Sequence, residues 1–318
     1  MWLTTPILFL IYKRPEQAAQ VFAQIKKQKP KRLYIAGDGA KKDIEWEQEI
    51  VEQTRKMVLD QIDWDCDVKT LFREENLWCK IWVSEAITWF FENEEMGIIL
   101  EDDCFPSESF FPYCENLLHK YKDNEEIFII SGHNSQDTWK TDNADYFFSY
   151  AWNIWWWASW RRVWEKYDIN MTGIQKKETL KHFQKLFGKT NGKIRLTMLK
   201  RTFLPYIYSW DWPFAYNRHM HSWIGCVPSK NLIKNIWFWE GSTHTAGNDE
   251  NHMIHEIDFQ KIKEPSSIRV DKNYDKLHLE TRRGPIVIYY ITIFTDYFKI
   301  TPQAKKVYNK LKKMTGKK

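Results

Sequence analysis

The sequence predicts an α/β fold, a mostly parallel sheet flanked by helices, from two features. The first is an apolar run at residues 6–12, followed by an amphipathic segment that begins near Pro15 and a second apolar run at residues 33–36. Strand, helix and strand in such close succession imply two neighbouring parallel strands. The second feature is the wholly apolar run at residues 97–100, typical of a strand buried on both faces of a parallel sheet.

The remaining elements follow in order along the chain. Residues 43–62 have the spacing of a charged amphipathic helix. Short apolar runs predict further strands at residues 68–72, 127–130 and 146–150. The aromatic segment 153–162 leads into a helix at residues 163–164, and residues 176–208 are predicted to be helical and basic.

The composition is that of a soluble globular protein, with 318 residues, 28% charged and 43% hydrophobic, and a net charge of +5. The five cysteines are odd in number and lack C-x-x-C spacing, which argues against a disulfide framework and favours a reducing cytoplasm. We recognise neither a signal peptide nor a run of about 20 apolar residues. The sequence thus predicts a cytoplasmic protein, and its mild charge argues against nucleic-acid binding.

Lysines are concentrated at the C-terminal end, at positions 305, 306, 310, 312, 313, 317 and 318. Two interpretations stay open. The tail contacts an acidic partner such as anionic lipid, which would place the protein peripherally at the inner face of a membrane, or it is a solvated helix end.

Three consecutive carboxylates, Glu101, Asp102 and Asp103, follow directly on the apolar run at 97–100. Ligands of open α/β sheets bind just beyond the carboxyl ends of the strands. Carboxylates gathered there repel one another unless a cation or a hydrogen-bonding ligand lies among them. A solvated acidic turn is the alternative, and the position directly after a buried strand favours a functional site.

This motif carries a resemblance to a known family. A hydrophobic strand that ends in Glu-Asp-Asp, followed by Pro106 and an aromatic-rich helix, resembles the metal-binding motif of GT-A-fold glycosyltransferases. The bacterial relatives of N-acetylglucosaminyltransferase I are the most similar group. The resemblance implies a GT-A domain over residues 1–250, with a nucleotide-binding half to about residue 105 and an acceptor-side half after it. Residues 251–318 would form a C-terminal extension.

The resemblance assigns roles to the residues of the first half. Arg14 would lie near the phosphates of a nucleotide sugar, and Asp38 would contact the base or the ribose. Arg73 would pair with the diphosphate through its planar guanidinium. From the residues alone, two alternatives stay open: Asp38 shapes a turn between two glycines, and Arg73 forms a surface ion pair.

The resemblance also assigns roles to the residues of the acidic motif and implies a metal cofactor. Asp103 would ligate a divalent cation, Mn²⁺ or Mg²⁺. Glu101 and Asp102 would order the ribose, the sugar or nearby waters. His244, in the late segment Gly-Ser-Thr-His-Thr, would complete the metal site, since imidazole binds Mn²⁺; a structural role for this histidine is the alternative.

Asp211 stands between two tryptophans in Ser-Trp-Asp-Trp, and related transferases carry their general base in a similar element. An inverting transfer needs one carboxylate to accept the proton of the attacking hydroxyl group. Aromatic neighbours would desolvate Asp211 and raise its pKa. A buried aspartate that caps nearby N–H groups is the alternative.

Tryptophan is unusually frequent: the chain has 18 Trp and only 12 Gly, where about 22 Gly would be average. Several tryptophans stand where similar proteins carry glycine, at positions 46, 78, 82, 156, 237 and 239. We hypothesise that some of these codons are UGA read as glycine in the source organism; a divergent, Trp-rich relative is the alternative.

The predicted function is therefore a metal-dependent, inverting glycosyltransferase of the hexosyltransferase type. It would move a sugar from a nucleotide-diphosphate donor, with a UDP-sugar favoured, to a glycan or lipid-linked acceptor in polysaccharide biosynthesis. A nucleotidyltransferase or phosphohydrolase with a carboxylate-bound metal is the first alternative. A non-catalytic carbohydrate-binding protein that uses the aromatic side chains is the second.

Overall fold

The computed structural model describes residues 2–141, 143–152, 154–203, 209–236, 253–258 and 261–283, with the backbone alone for 279–283. Its strands are β1 (Ile7–Ile11), β2 (Arg32–Gly37), β3 (Asp67–Phe72), β4 (Met96–Glu101), β5 (Cys104–Pro106), β6 (Ile127–Ser131), β7 (Tyr146–Ser149), β8 (Trp157–Trp160), β9 (Ile224–Pro228) and β10 (Ile233–Asn235). Its helices are α1 (Pro15–Gln28), α2 (Glu45–Asp60), α3 (Trp78–Asn93), α4 (Phe110–Lys120), α5 (Arg161–Trp164), α6 (Lys177–Phe187), α7 (Lys189–Lys200), α8 (Asp211–His221) and α9 (Lys272–Arg283).

Eight strands form one sheet in the order β3-β2-β1-β4-β8-β6-β9-β7, and β5 pairs with β10 in a separate ribbon. β3, β2, β1 and β4 are parallel neighbours, whereas β8 runs antiparallel between β4 and β6. β9 lies parallel to β6, and β7 closes the sheet antiparallel to β9. Six of the eight strands therefore point the same way, which confirms the predicted α/β fold with a mostly parallel sheet.

The predicted strands at residues 6–12, 33–36, 68–72, 97–100, 127–130 and 146–150 correspond to β1, β2, β3, β4, β6 and β7. β8 is different, because the sequence predicts only a segment that leads into a helix. The helix is present as α5, but the four residues before it form a buried strand that pairs with both β4 and β6. Over four aromatic and small residues, apolar periodicity does not distinguish a strand from a helix approach.

A cluster of aromatic rings surrounds β8. Trp157 of β8 stacks on Trp210 with ring centroids 6.0 Å apart, and Phe214 of α8 packs on Trp157 at 5.2 Å. Trp164 of α5 stacks on Tyr167 at 4.3 Å. Because aromatic side chains bury large areas, this cluster fixes α5 and α8 against the centre of the sheet.

The structure describes four of the six tryptophans that stand where similar proteins carry glycine, and the four divide into two pairs. Trp78 and Trp156 have φ angles of 65° and 51°, in the left-handed region that glycine occupies most readily. Trp46 and Trp82 lie inside α2 and α3, where glycine is unfavourable. Two of the four thus occupy backbone that favours glycine; positions 237 and 239 lie outside the described residues.

The chain divides into two units, Met1–Tyr274 and Asp275–Lys318. The sheet, its helices and the predicted site belong to the first. Of the second, the structure describes the helical residues 275–283. No described helix in either unit is long and apolar enough to cross a membrane. The division predicted at residue 250 stays a prediction, since residues 237–252 lie outside the described part.

Candidate active site

The predicted site residues of the first half lie where four adjacent parallel strands end. Arg14 follows β1, Asp38 follows β2, Arg73 follows β3, and the acidic motif closes β4. The carboxyl ends of parallel strands meet at one edge of a sheet, where open α/β folds bind their ligands. The fold therefore gathers side chains that are up to 89 positions apart in the sequence.

Arg14 bridges two carboxylates of the acidic motif. Its Nη1 lies 2.8 Å from Oδ1 of Asp102 and 2.9 Å from Oδ2 of Asp103. The other oxygen of Asp102 accepts a hydrogen bond from the backbone N–H of Tyr12 at 3.1 Å. Asp102 is buried and turned toward β1, whereas Asp103 is only partly buried. Asp102 therefore fixes Arg14 in place, and Asp103 faces the more open side.

The acidic motif carries more negative charge than Arg14 compensates. Burial and then the charge of Asp103 raise the pKa of Glu101 to about 8, although Arg14 acts in the opposite direction. Burial also raises the pKa of Asp102 to about 6, again against the effect of Arg14. Three carboxylates share one guanidinium in a region with little water, and such a region favours an added cation.

The charge of the motif fits a divalent cation, but its geometry offers few ligands. No three described His, Cys, Asp or Glu side chains form a ready metal site. Asp103 is the better placed donor because it is less buried than Asp102, although its Oδ2 pairs with Arg14 and its Oδ1 accepts a hydrogen bond from the Cys104 thiol at 3.3 Å. A cation bound here would take further oxygen ligands from a diphosphate or from water.

A backbone contact joins Asp103 to Ile236, eight residues before His244. The N–H of Ile236 donates to the carbonyl oxygen of Asp103 at 2.7 Å, immediately after the β5–β10 ribbon. His244 itself lies outside the described residues, so its place in a metal site stays a prediction.

Asp211 approaches the acidic motif from a distant part of the chain. It is the first residue of α8, and its Oδ1 accepts a hydrogen bond from the hydroxyl group of Ser209. Its negative charge contributes to the raised pKa of Glu101. Burial, Glu101 and Asp211 together raise the pKa of Cys79 to about 12. Cys79 and Glu101 thus both lie within electrostatic range of Asp211.

The aromatic cluster explains how Asp211 is positioned. Trp210, the residue before it, stacks on Trp157 of β8. β8 in turn pairs with β4 through Ile99 and Trp157, two residues before Glu101. The position of Asp211 therefore depends on a contact between two tryptophans.

Asp38 and Arg73 have structural partners in the present conformation. Oδ1 of Asp38 accepts hydrogen bonds from the N–H groups of Gly39 at 3.0 Å and Leu77 at 2.9 Å. Nη2 of Arg73 lies 2.6 Å from Oε2 of Glu85. Arg55 joins the two loops, since its Nη2 lies 2.8 Å from the carbonyl oxygens of both Asp38 and Arg73. Their contacts with a nucleotide stay predictions.

A polar group beside this edge was missed by the sequence analysis. Glu47 is fully buried in α2, where it accepts a hydrogen bond from the hydroxyl group of Tyr12 and pairs with Lys13 at 3.0 Å. Nδ2 of Asn76 donates to the same tyrosine oxygen at 2.8 Å. A signal existed, because Glu47 lies four residues before Val51 on the buried stripe of α2.

No family model matches the chain, and no curated protein matches it. Among solved structures, mouse xyloside xylosyltransferase 1 in its apo form matches with a TM-score of 0.34 and 10% identity over 70% of this chain and 84% of that one. HddC from Yersinia pseudotuberculosis matches with a TM-score of 0.32 and 9% identity over 52% and 80%. UDP-glucose pyrophosphorylase complexed with UDP-glucose matches with a TM-score of 0.31 and 7% identity over 51% and 78%. The fold assignment rests on the sheet order given above.

Proposed function

We propose that the chain is a metal-dependent glycosyltransferase that moves a sugar from a nucleotide-diphosphate sugar to a hydroxyl group of an acceptor. The observation that carries this proposal is that Trp210, the residue before Asp211, stacks on Trp157 of β8, the strand paired with β4, which ends in the acidic motif. The Arg14-bridged acidic motif ends β4, and Asp211 arrives separately on α8. The acidic motif, with a bound cation, suits binding of a donor diphosphate, and the carboxylate of Asp211 suits proton transfer.

The donor half would be built from the strand ends. Asp103, with His244 as a second ligand, would hold Mn²⁺ or Mg²⁺, which neutralises charge on the departing diphosphate. Arg14 would lie against the phosphates, oriented by Asp102. Arg73 would reach the diphosphate if its ion pair with Glu85 broke and the diphosphate took the place of Glu85. Asp38 would approach the base or the ribose. A UDP-sugar is favoured by the family resemblance alone.

The acceptor half would use Asp211 as general base. The acceptor oxygen would attack the anomeric carbon, the bond from that carbon to the phosphate oxygen would break, and the hydroxyl proton would pass to the carboxylate of Asp211. The hydroxyl group of Ser209 already donates to Oδ1 of Asp211, so the other oxygen would be the one turned to the acceptor. A single direct displacement of this kind inverts the anomeric configuration.

The first alternative, a nucleotidyltransferase, would use the same donor edge but break a different bond. In that reaction an oxygen of the acceptor would attack a phosphorus atom of a nucleoside triphosphate, and pyrophosphate would leave. Asp211 would not be needed as a base for a sugar hydroxyl group. A phosphohydrolase would transfer a phosphoryl group of its substrate to water. The second alternative, a carbohydrate-binding protein, would use the aromatic side chains without the acidic motif, so chelation would leave its sugar binding unchanged.

The test is a product analysis with a panel of nucleotide sugars and acceptor glycans in the presence of Mn²⁺. The proposal expects a free nucleoside diphosphate and an extended glycan in equal amounts. Asp211→Asn should keep donor binding and lose glycan extension by about 10²–10⁴-fold, because it removes the base but keeps the shape. Pyrophosphate as the product, or full activity of Asp211→Asn, would contradict the proposal.

A further inference from the structure

Within the residues that the structure describes, positive charge is concentrated in one short segment. Residues 176–203 contain nine of the 47 Lys and Arg residues and one of the 42 Asp and Glu residues, a charge of +8, and the other 290 residues together carry −3. This segment is the α6–α7 hairpin and the turn that follows it. The hairpin is therefore the part of the described chain most suited to an anionic partner.

The exposed lysines of the hairpin form two rows, one on each helix. Lys177, Lys181 and Lys185 in α6 and Lys189 and Lys193 in α7 follow one another at intervals of four residues, and all five are exposed. This spacing places Lys177, Lys181 and Lys185 on one face of α6 and Lys189 and Lys193 on one face of α7, and Gly188 separates the two helices. No carboxylate of the described residues forms an ion pair with any of the five. Like charges at this spacing destabilise an isolated helix, so an external anion would relieve the repulsion.

The two helices that carry the lysine rows are fixed against each other and against α8. α6 and α7 pack so closely that a Cβ atom at Gly192 would lie 2.4 Å from the carbonyl oxygen of Phe183. Phe183 stacks on Tyr216 of α8 with ring centroids 6.4 Å apart and meets His219 edge-on at 5.5 Å. The hairpin is thus anchored to α8, the helix that begins with Asp211.

Exposed apolar side chains accompany the lysines. Leu186 is 42% exposed beside Lys185, and Phe203, just beyond α7, is 50% exposed. Leu186 lies at the tip of the hairpin and Phe203 at its base, where Lys80 lies over the Phe203 ring at 5.8 Å. Lysines together with exposed leucine and phenylalanine are a composition found in helices that lie in a membrane interface. A nucleic-acid surface would share the lysines but would gain nothing from the aliphatic chain of Leu186.

We propose that the α6–α7 hairpin binds the surface of a membrane that contains anionic lipid. The lysine rows of the two helices contact the headgroups, and Leu186 and Phe203 enter the boundary with the acyl chains. This contact is independent of the proposed transferase activity. One consequence does rest on that activity: the hairpin would hold α8, and with it Asp211, toward acceptors carried by the same membrane.

The test is co-sedimentation of the full chain with vesicles of phosphatidylcholine, either pure or with a minor fraction of phosphatidylglycerol. The proposal expects binding to the anionic vesicles alone and a loss of binding as salt rises. The variant Lys181→Glu/Lys185→Glu/Lys189→Glu should weaken binding by roughly 100-fold or more, since each lysine near an anionic surface contributes about fivefold. Leu186→Ser/Phe203→Ser should abolish the part of the vesicle binding that persists at high salt.

Two control variants make the test specific. Lys42→Glu/Lys56→Glu/Lys122→Glu changes the net charge equally at lysines that are 80%, 76% and 60% exposed, and it should alter binding by less than about threefold. Lys310→Glu/Lys312→Glu/Lys313→Glu tests the C-terminal lysines. Equal losses in the hairpin and Lys42 variants, or a complete loss in the C-terminal variant with an unaffected hairpin variant, would overturn the proposal. Binding of polyuridylate without binding of vesicles would also overturn it.

Discussion

The indole rings of Trp157 and Trp210 stack with their centroids 6.0 Å apart and their planes inclined by 23°. Trp157 belongs to β8, the neighbour of the strand that ends in the acidic motif, and Trp210 directly precedes Asp211. This contact joins the donor half of the proposed site to the acceptor half. In the proposed mechanism, it sets the distance between the two.

Weakening this stack should therefore impair turnover more than donor binding. In Trp210→Phe, a smaller ring lets the start of α8 shift, and displacement of a catalytic group by about 1 Å can cost as much as 10²-fold in rate. We expect kcat to fall roughly 10-fold while UDP affinity stays unchanged, as measured by steady-state kinetics and calorimetry. Trp64→Phe, at a half-buried tryptophan between α2 and β3 whose ring centroid lies 6.1 Å from that of Phe22, is the control. A parallel loss of UDP affinity in Trp210→Phe would mean that the stack only supports the fold.

Removing the guanidinium of Arg14 should destabilise the fold and abolish diphosphate binding. Arg14→Gln leaves Asp102 buried without its cationic partner, and breaking a buried ion pair costs about 3–5 kcal/mol. Because the side chain of Arg14 is 27% exposed, we expect about 2 kcal/mol at pH 8 in urea unfolding.

Arg32→Gln provides the comparison for Arg14. It breaks a similar pair with Glu94, at 2.7 Å, at the opposite end of β2, and it should leave UDP binding intact. If both variants lose UDP affinity to the same degree, Arg14 has no special place at the donor diphosphate.

The raised pKa of Glu101 predicts a stability that declines with rising pH. The folded protein holds the proton of Glu101 up to about pH 8, whereas the unfolded chain releases it near its model value of 4.5. Between these values the native state binds more protons, so the free energy of unfolding falls as pH rises. Glu101→Gln should flatten this decline and add about 1–2 kcal/mol at pH 8, with little effect at pH 4. Denaturant melts across this pH range measure the slope. A free energy of unfolding that rises with pH would show that another group dominates.

Two exposed tryptophans should respond in opposite directions to replacement by glycine. Trp78 is 50% exposed with φ 65°, so Trp78→Gly should stabilise the fold by about 1 kcal/mol through relief of left-handed backbone strain. Trp46 is 59% exposed in the first turn of α2, where glycine should cost about 0.5 kcal/mol. Thermal melts compare the two; destabilisation by both would remove the structural support for glycine at position 78.

Trp156 needs a different expectation, because it is buried as well as strained. Its ring packs against Phe110 at 5.5 Å, and its Nε1 donates to the carbonyl oxygen of Glu101 at 3.3 Å. Relief of φ strain cannot offset a cavity of this size, which costs about 3–5 kcal/mol. Mass spectrometry of the protein from its source organism would decide the codon hypothesis, since retained tryptophan at these positions would exclude it.

The sequence predicted the strands with continuous apolar runs and the acidic residues that end β4, because burial on both faces leaves a plain signal. It did not predict β8, whose pairing with β4 and β6 depends on contacts between distant segments. The buried Glu47 was also missed, although its register on α2 marks it, because glutamate is normally solvated. The approach of Asp211 to Glu101 could not follow from spacing, since it depends on the packing of Trp210 on β8.

The most direct test of the donor site is calorimetric titration with UDP, with and without Mn²⁺, on the wild type, Asp103→Ala and Asp123→Ala. Asp123 is an aspartate with an 88% exposed side chain after α4, so it serves as the control. We expect Mn²⁺-dependent binding in the wild type and in Asp123→Ala, and its loss in Asp103→Ala. Equal UDP binding by all three proteins, or binding indifferent to Mn²⁺, would contradict a cation held by Asp103 at the donor diphosphate.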